Sequence, residues 1–226
     1  GAGGEGTRKL WDKKESEVTL YAHWTGDIVK LTLNHNGGTS AYPGSEVWAK
    51  IDEGYYTNYN EDTGELSGRI SHLSVPYKTG YSFVGYFKET YDLQAGSIND
   101  EESPQIVDNG GYFIDPQTAK VLLNTHYTKE EGKIPEIGII ARWNANVTKM
   151  TFDPGTTDAV ENLPNDTTAT FGVYTPYIET SKSNAGFTEA KRKGYTIGGY
   201  YYGDQLYYYG TTPYPIAEHE IWDIDQ

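Results

Sequence analysis

Val18-Thr19-Leu20-Tyr21-Ala22-His23-Trp24 decides how the rest of the chain is read. Val18, Leu20, Ala22 and Trp24 fall on one side of an extended strand and Thr19, Tyr21 and His23 on the other. The stretch therefore predicts a strand with one buried face. Its closing signature, Ala-x-Trp, returns in Ile139-Ile140-Ala141-Arg142-Trp143. Each copy is followed by a second strand-like run, Val29–Asn34 after the first and Lys149–Asp153 after the second. Trp24 to Trp143 is 119 residues, and so is Leu31 to Met150. A spacing shared by two motifs marks a duplicated unit, and such units belong to arrays that act as stalks or binding surfaces.

A third landmark lies inside the unit. Lys78-Thr79-Gly80-Tyr81-Ser82-Phe83-Val84-Gly85-Tyr86-Phe87 matches Arg192-Lys193-Gly194-Tyr195-Thr196-Ile197-Gly198-Gly199-Tyr200-Tyr201. Gly80 to Gly194 is 114 residues, so the second copy has a shorter preceding loop. Glycine at Gly80 and Gly85 supplies the positive φ or the close approach that a hairpin arm needs. Trp24, Ala22, Trp143, Ala141, Gly80, Tyr81, Phe83, Gly85, Gly194 and Tyr195 are the expected fold determinants, because large buried aromatics dominate small cores.

Glycine (26), tyrosine (21) and alternating Thr and Val predict a mainly β chain, α+β at most. Short helices are expected only around Ser45–Asp52 and Asn184–Lys193. The formal charge of −14 argues against nucleic acid, whose phosphates need a basic patch. No apolar run approaches the roughly 20 residues of a membrane span, so no membrane insertion is expected. Zero cysteines exclude a disulfide framework and Cys-ligated metal.

The order of landmarks resembles the Listeria–Bacteroides repeat, the family that includes the B-repeat of internalins. The matching residues are Leu31–Gly38, Gly80–Phe87, and Leu20–Trp24 with Ile140–Trp143. The resemblance implies tandem β-grasp-like units on secreted or wall-attached bacterial proteins, without catalysis or cofactor. Its partners would be other domains of a longer parent protein and a host-surface protein or glycan. The chain departs from the family in its long inserts, at about 44–75 and 88–135. Tyr86 and Tyr200 stand where tryptophan is usual, and Asp153-Pro154-Gly155-Thr156 replaces Asn-Gly-Gly in the second unit.

Candidate sites are few. Gly1-Ala2-Gly3-Gly4-Glu5-Gly6 satisfies G-x-G-x-x-G but follows no strand and opens no helix. His23, His35, His72, His126 and His219 lack metal-ligand spacing, and no catalytic triad is expected. The acidic loops around Asp62, Glu65 and Asp100 offer hard oxygens to calcium but lack the spaced EF-hand pattern. The tyrosine clusters are the sharpest anomaly. Tyr200-Tyr201-Tyr202 and Tyr207-Tyr208-Tyr209 flank Gly203–Leu206, and strand alternation places tyrosines on both faces of a sheet. Tyr200, Tyr202, Tyr207, Tyr208 and Tyr209 could thus form a carbohydrate-binding surface, or simply pair across the hairpin.

The organisation follows from the period. Residues 1–25 read as the closing part of a preceding repeat, 26–144 as unit 1 with inserts, and 145–226 as unit 2 without its closing Ala-x-Trp strand. Lys9-Leu10-Trp11-Asp12 resembles Glu220-Ile221-Trp222-Asp223, which supports that division. A unit lacking one strand exposes a sheet edge, so head-to-tail self-association is expected. The functional expectation is a non-enzymatic stalk or adhesion segment at the bacterial cell surface. The alternative is a carbohydrate-binding module.

Overall fold

The computed structural model describes residues 14–39, 44–89, 91–92, 97–98, 105–113, 133–177, 187–210 and 219–225. The fold grows from Ile28–Asn34 (β1), where period-2 alternation buries Val29, Leu31 and Leu33. Each such side chain contributes roughly 1.5–3 kcal/mol by leaving water. Glu46–Lys50 (β2) pairs antiparallel with β1 and adds Val47 and Ala49 to the same core. Gly54–Tyr59 (β3) and Leu66–Ile70 (β4) continue the antiparallel meander.

Tyr81–Lys88 (β5) comes next, then the short ladder of Tyr91–Asp92 (β6) with Ser97–Ile98 (β7). Gln105–Val107 (β8) lies antiparallel to β5. Glu136–Ala145 (β9) inserts between β1 and β5. It runs parallel to β1, with Leu31 opposite Ile137 and Leu33 opposite Ile139, and antiparallel to β5, with Phe83 opposite Trp143. The result is a mixed seven-stranded sheet in the order β4-β3-β2-β1-β9-β5-β8. Ile139 and Ala141, at the centre of β9, are fully enclosed in its core.

Beyond Asn146 the chain makes two separate two-stranded sheets. Val147–Met150 (β10) pairs with Thr167–Thr170 (β11), and Gly199–Tyr202 (β12) pairs with Gln205–Tyr209 (β13). A second core of Ala169, Tyr177, Tyr207, Tyr208 and Trp222 holds them together. Asn146 joins the two regions. Its N–H donates to the Gly80 carbonyl at 2.8 Å, and its side chain bonds Ser82 Oγ at 2.7 Å and Asp225 at 3.1 Å.

The architecture is mainly β, and the described residues contain no α-helix. The expected helix at Ser45–Asp52 is instead β2, because Val47 and Ala49 recur with period 2 against β1. Of Asn184–Lys193, residues 187–193 are irregular, and Lys191 bridges Glu161 through paired backbone bonds of 2.8 and 2.9 Å.

The expected strand at Val18–Trp24 is irregular and pairs with nothing among the described residues. Trp24 is 92% exposed, Leu20 is 83% exposed, and Ala22 is exposed too. Trp24 and Ala22 are therefore not core residues. Alternation makes a face that can be buried, but burial needs a vacant neighbour, and both sides of β1 are already taken by β2 and β9. Residues 1–13, including Gly1–Gly6 and Lys9–Asp12, lie outside the described residues.

Candidate functional site

The second region is where the sequence placed its binding surface, and one irregularity controls it. Tyr200 lies opposite Tyr208, but Tyr201 lies opposite Leu206, so Tyr207 is the extra residue of a β-bulge. The bulge breaks alternation and turns two consecutive tyrosines inward. Tyr207 and Tyr208 are core residues and not part of a solvent-facing ligand surface. Tyr208 donates its hydroxyl to the Pro176 carbonyl at 2.7 Å, and burial pushes its pKa well up. Tyr207 stacks on His219 with ring centroids 3.9 Å apart and bonds Asp223 Oδ1 at 3.1 Å. Burial first, and then the Asp223 charge, push its pKa to about 12. Tyr201, Tyr202 and Tyr209 remain exposed.

Tyr200 is half-buried in an aromatic cluster, 4.9 Å from Phe152, with its pKa raised by burial. Its hydroxyl is enclosed but has no hydrogen-bond partner among the described residues. It faces a cavity of about 490 Å³ that lies between β10 and its continuation, Thr151–Asp153, on one side and Thr196–Tyr202 on the other. Two more enclosed polar atoms without partners belong to residues lining this cavity, Trp222 Nε1 and Arg192 Nε. Three such atoms around one cavity are unusual, because buried polar atoms nearly always find partners.

The two Gly-Tyr turns have the same backbone and different surroundings. Gly80 has φ +77° and Gly194 φ +82°, while Gly85 and Gly199 have φ +147° and +157°. The Tyr81 N–H bonds the Lys78 carbonyl at 3.1 Å, and the Tyr195 N–H bonds the Arg192 carbonyl at 3.1 Å. Lys78 Nζ lies 4.6 Å from the Tyr81 ring centre, and the Arg192 guanidinium lies 3.9 Å from that of Tyr195. Yet Gly80 is buried under Phe171, whereas Gly194 is open and Tyr195 is 67% exposed. Gly194 and Tyr195 are thus corrected from core to surface.

The other expected core residues sit in the large sheet. Ala141 is fully buried and Gly85 buried, while Phe83, Tyr81 and Trp143 are partly so. The Trp143 indole lies 5.4 Å from Phe83, covers Gly38 and donates to the His35 carbonyl at 3.2 Å. Beside it, Tyr86 shares a 2.6 Å hydrogen bond with His35 Nδ1, and burial holds the His35 pKa below 6.5.

Asp62 and Glu65 occupy the β3–β4 turn, where Asn60 Oδ1 accepts from the Asp62 and Thr63 N–H groups at 2.9 and 3.1 Å. No group of three or more His, Asp or Glu converges among the described residues. Asp100 and His126 lie outside them. No helix among the described residues is long and apolar enough to cross a membrane. Comparison with known proteins returns no match to a protein-family model, a curated protein or a solved structure.

Sequence reasoning missed the bulge and the cavity. A usable signal existed. Two adjacent apolar residues, Ile106-Val107, precede a Gly-rich turn after β5, and Tyr207-Tyr208 hold the corresponding place after β12.

Proposed function

We propose that the chain is a non-enzymatic tandem-repeat segment of a secreted or cell-surface bacterial protein, acting as a stalk or adhesion module. Its units would be of the β-grasp-like kind implied by the resemblance to the Listeria–Bacteroides repeat. The observation that carries this reading is the recurrence of one turn-and-strand device at a constant offset of 114 residues. The Tyr77 bridge to Thr39 has its counterpart in the Lys191 bridge to Glu161. The glycine conformations, the cation over tyrosine and the bulge beside Tyr86 and Tyr200 recur as well. The order β2-β1-β9-β5 around a parallel β1–β9 pair supports the β-grasp-like comparison for the first unit.

A mechanical role makes a measurable statement. Residues 28–145 released from the fold would lengthen to roughly 400 Å, and residues 147–225 to roughly 270 Å, at 3.3–3.6 Å per residue. Pulling the chain from its ends should give two unfolding steps close to those lengths. One cooperative step of roughly 700 Å would overturn the two-unit reading.

The carbohydrate-binding alternative keeps one observation in its favour, the exposed Tyr201, Tyr202 and Tyr209 on a single hairpin. A glycan array decides it. Millimolar or tighter binding that Tyr202→Ala and Tyr209→Ala abolish would favour this alternative over the stalk.

A further inference from the structure

Asparagine is a chemically labile residue, and most so before glycine, which has no Cβ to keep its amide nitrogen from the asparagine carboxamide. The pair occurs twice in this chain, as Asn36-Gly37-Gly38 and as Asn109-Gly110-Gly111. Both asparagines lie in turns and both are exposed. Their surroundings differ in the sign of the charge that meets the peptide group following the asparagine.

Asn36 and Gly37 have φ of +48° and +80°, the two left-handed positions of a type I′ turn. The Gly38 N–H closes that turn on the His35 carbonyl at 2.9 Å. The Gly37 N–H makes no hydrogen bond among the described residues. The carbonyl of the same peptide group, that of Asn36, accepts from Lys78 Nζ at 3.2 Å. Lys78 is half-buried, and its Nζ would lie 3.6 Å from a Cβ placed on Gly37. When a peptide nitrogen loses its proton, the negative charge spreads onto the carbonyl oxygen. Lys78 therefore holds an ammonium on the atom that would carry the charge, and a neighbouring opposite charge favours the ionised form.

At the other pair the arrangement is reversed. The Gly110 N–H donates to Asp108 Oδ1 at 2.9 Å, and the same oxygen accepts the Tyr112 N–H at 2.9 Å. The carboxylate occupies the proton that would have to leave and repels the anion that would form.

We infer that Asn36-Gly37 is a self-modification site, at which Asn36 deamidates with the help of Lys78, while Asp108 shields Asn109-Gly110. The Gly37 nitrogen gives its proton to hydroxide and attacks Cγ of Asn36. The new N–Cγ bond closes a succinimide as the Cγ–Nδ2 bond breaks, and Nδ2 leaves as ammonia with a proton from water. Water then opens the ring at either carbonyl, giving aspartate, or isoaspartate with an added backbone methylene. Each event consumes one water and releases one ammonia.

The product alters the corner where β1 meets β9. Asn36 Nδ2 donates to the Ala141 carbonyl at 3.1 Å, and a carboxylate at this place can only accept. An added methylene next to His35 also displaces the carbonyl on which Trp143 Nε1 is held at 3.2 Å.

The full chain, aged in warm, mildly alkaline buffer, tests this by peptide mapping and mass spectrometry. Conversion at Asn36 should run roughly tenfold faster than at Asn109, the equivalent of one unit in the acidity of the attacking amide. Lys78→Gln should slow Asn36 by roughly that factor and leave Asn109 unchanged, whereas Lys78→Arg should keep the wild-type rate. Asp108→Ser, which keeps an acceptor and removes the charge, should speed Asn109. In urea that unfolds the chain the two rates should converge, because the local sequences match. The urea midpoint of the purified Asn36-converted fraction should fall by roughly 0.5 M, for the lost bond to Ala141. Four outcomes would each overturn the proposal: Asn109 converting as fast as Asn36, an Asn36 rate not lowered by Lys78→Gln, a rate difference that survives unfolding, or an unchanged midpoint after conversion.

Discussion

Trp143 and Trp24 close the same motif, but replacing each by alanine should have very unequal consequences for the isolated molecule. Trp143 packs 5.4 Å from Phe83, lies over Gly38 and donates to the His35 carbonyl. Removing a fully buried Trp typically costs about 3–5 kcal/mol. Trp143 keeps part of its ring in contact with water, which places it at the low end, about 3 kcal/mol, including the lost bond to His35. For a unit of this size urea acts at roughly 2 kcal/mol per molar, so the midpoint should fall by roughly 1.5 M. Trp24, at 92% exposure, should change stability by less than about 0.5 kcal/mol in dilute solution. Urea unfolding followed by circular dichroism, which does not depend on the missing indole, measures both. A Trp143→Ala midpoint within about 0.25 M of the parent, or equal shifts for the two variants, would refute the assignment of β9 as the strand that completes the sheet.

Gly80→Ala would drive a Cβ into the Phe171 ring at a φ of +77°, and should destabilise by roughly 3 kcal/mol or more. Gly194→Ala meets no atom within 4 Å and should cost only the roughly 1–2 kcal/mol of a left-handed backbone, a contrast that the same urea titration reads. Tyr208→Ala should destabilise the second region by roughly 3–5 kcal/mol, against less than about 0.5 kcal/mol for Tyr202→Ala, as thermal melts would register. The lowered His35 pKa means that the unfolded chain binds the proton more readily than the folded one. Stability from this group is therefore full above about pH 6.5 and lost as pH falls through the folded value. The midpoint should drop as pH falls below about 6.5, and His35→Gln should flatten that part of the profile.

Features set by neighbours in sequence were legible before the structure, and features set by neighbours in space were not. The Gly-Tyr turns could be read because a glycine with positive φ and a tyrosine under a cation are local devices. Alternation in Val29–Asn34 likewise announced β1, since a period of 2 has one structural meaning. The same alternation in Glu46–Lys50 was masked by its brevity, because five residues with two apolar positions suit one turn of helix almost as well. Tyr207 and Tyr208 misled for another reason. Alternation assumes an unbroken ladder, and a bulge cancels it with no residue type that announces the break. Trp24 shows the limit most clearly. Its strand has the amphipathic pattern of β9, but a pattern states which face can be buried and not whether anything is there to bury it.

The two Gly-Tyr turns separate local from tertiary determinants within one molecule. Their φ values differ by 5° at the first glycine and 10° at the second, so the turn geometry belongs to the sequence of the turn. Their exposure differs because only one of them has a neighbour packed over it. Phe171, carried by the segment after β11, sits on Gly80 and meets Tyr81 edge-on at 5.5 Å. The Phe171 N–H bonds the Asn146 carbonyl at 2.9 Å, just as the Ile51 N–H bonds that of Asp27 at 3.0 Å. Ile51 is thus the counterpart of Phe171 in the first unit, where it is buried in the core of the large sheet. Gly194 and Tyr195 form the uncovered turn. The two turns therefore share a backbone that their own residues set, and differ in whether the Phe171 ring or open space lies over the first glycine.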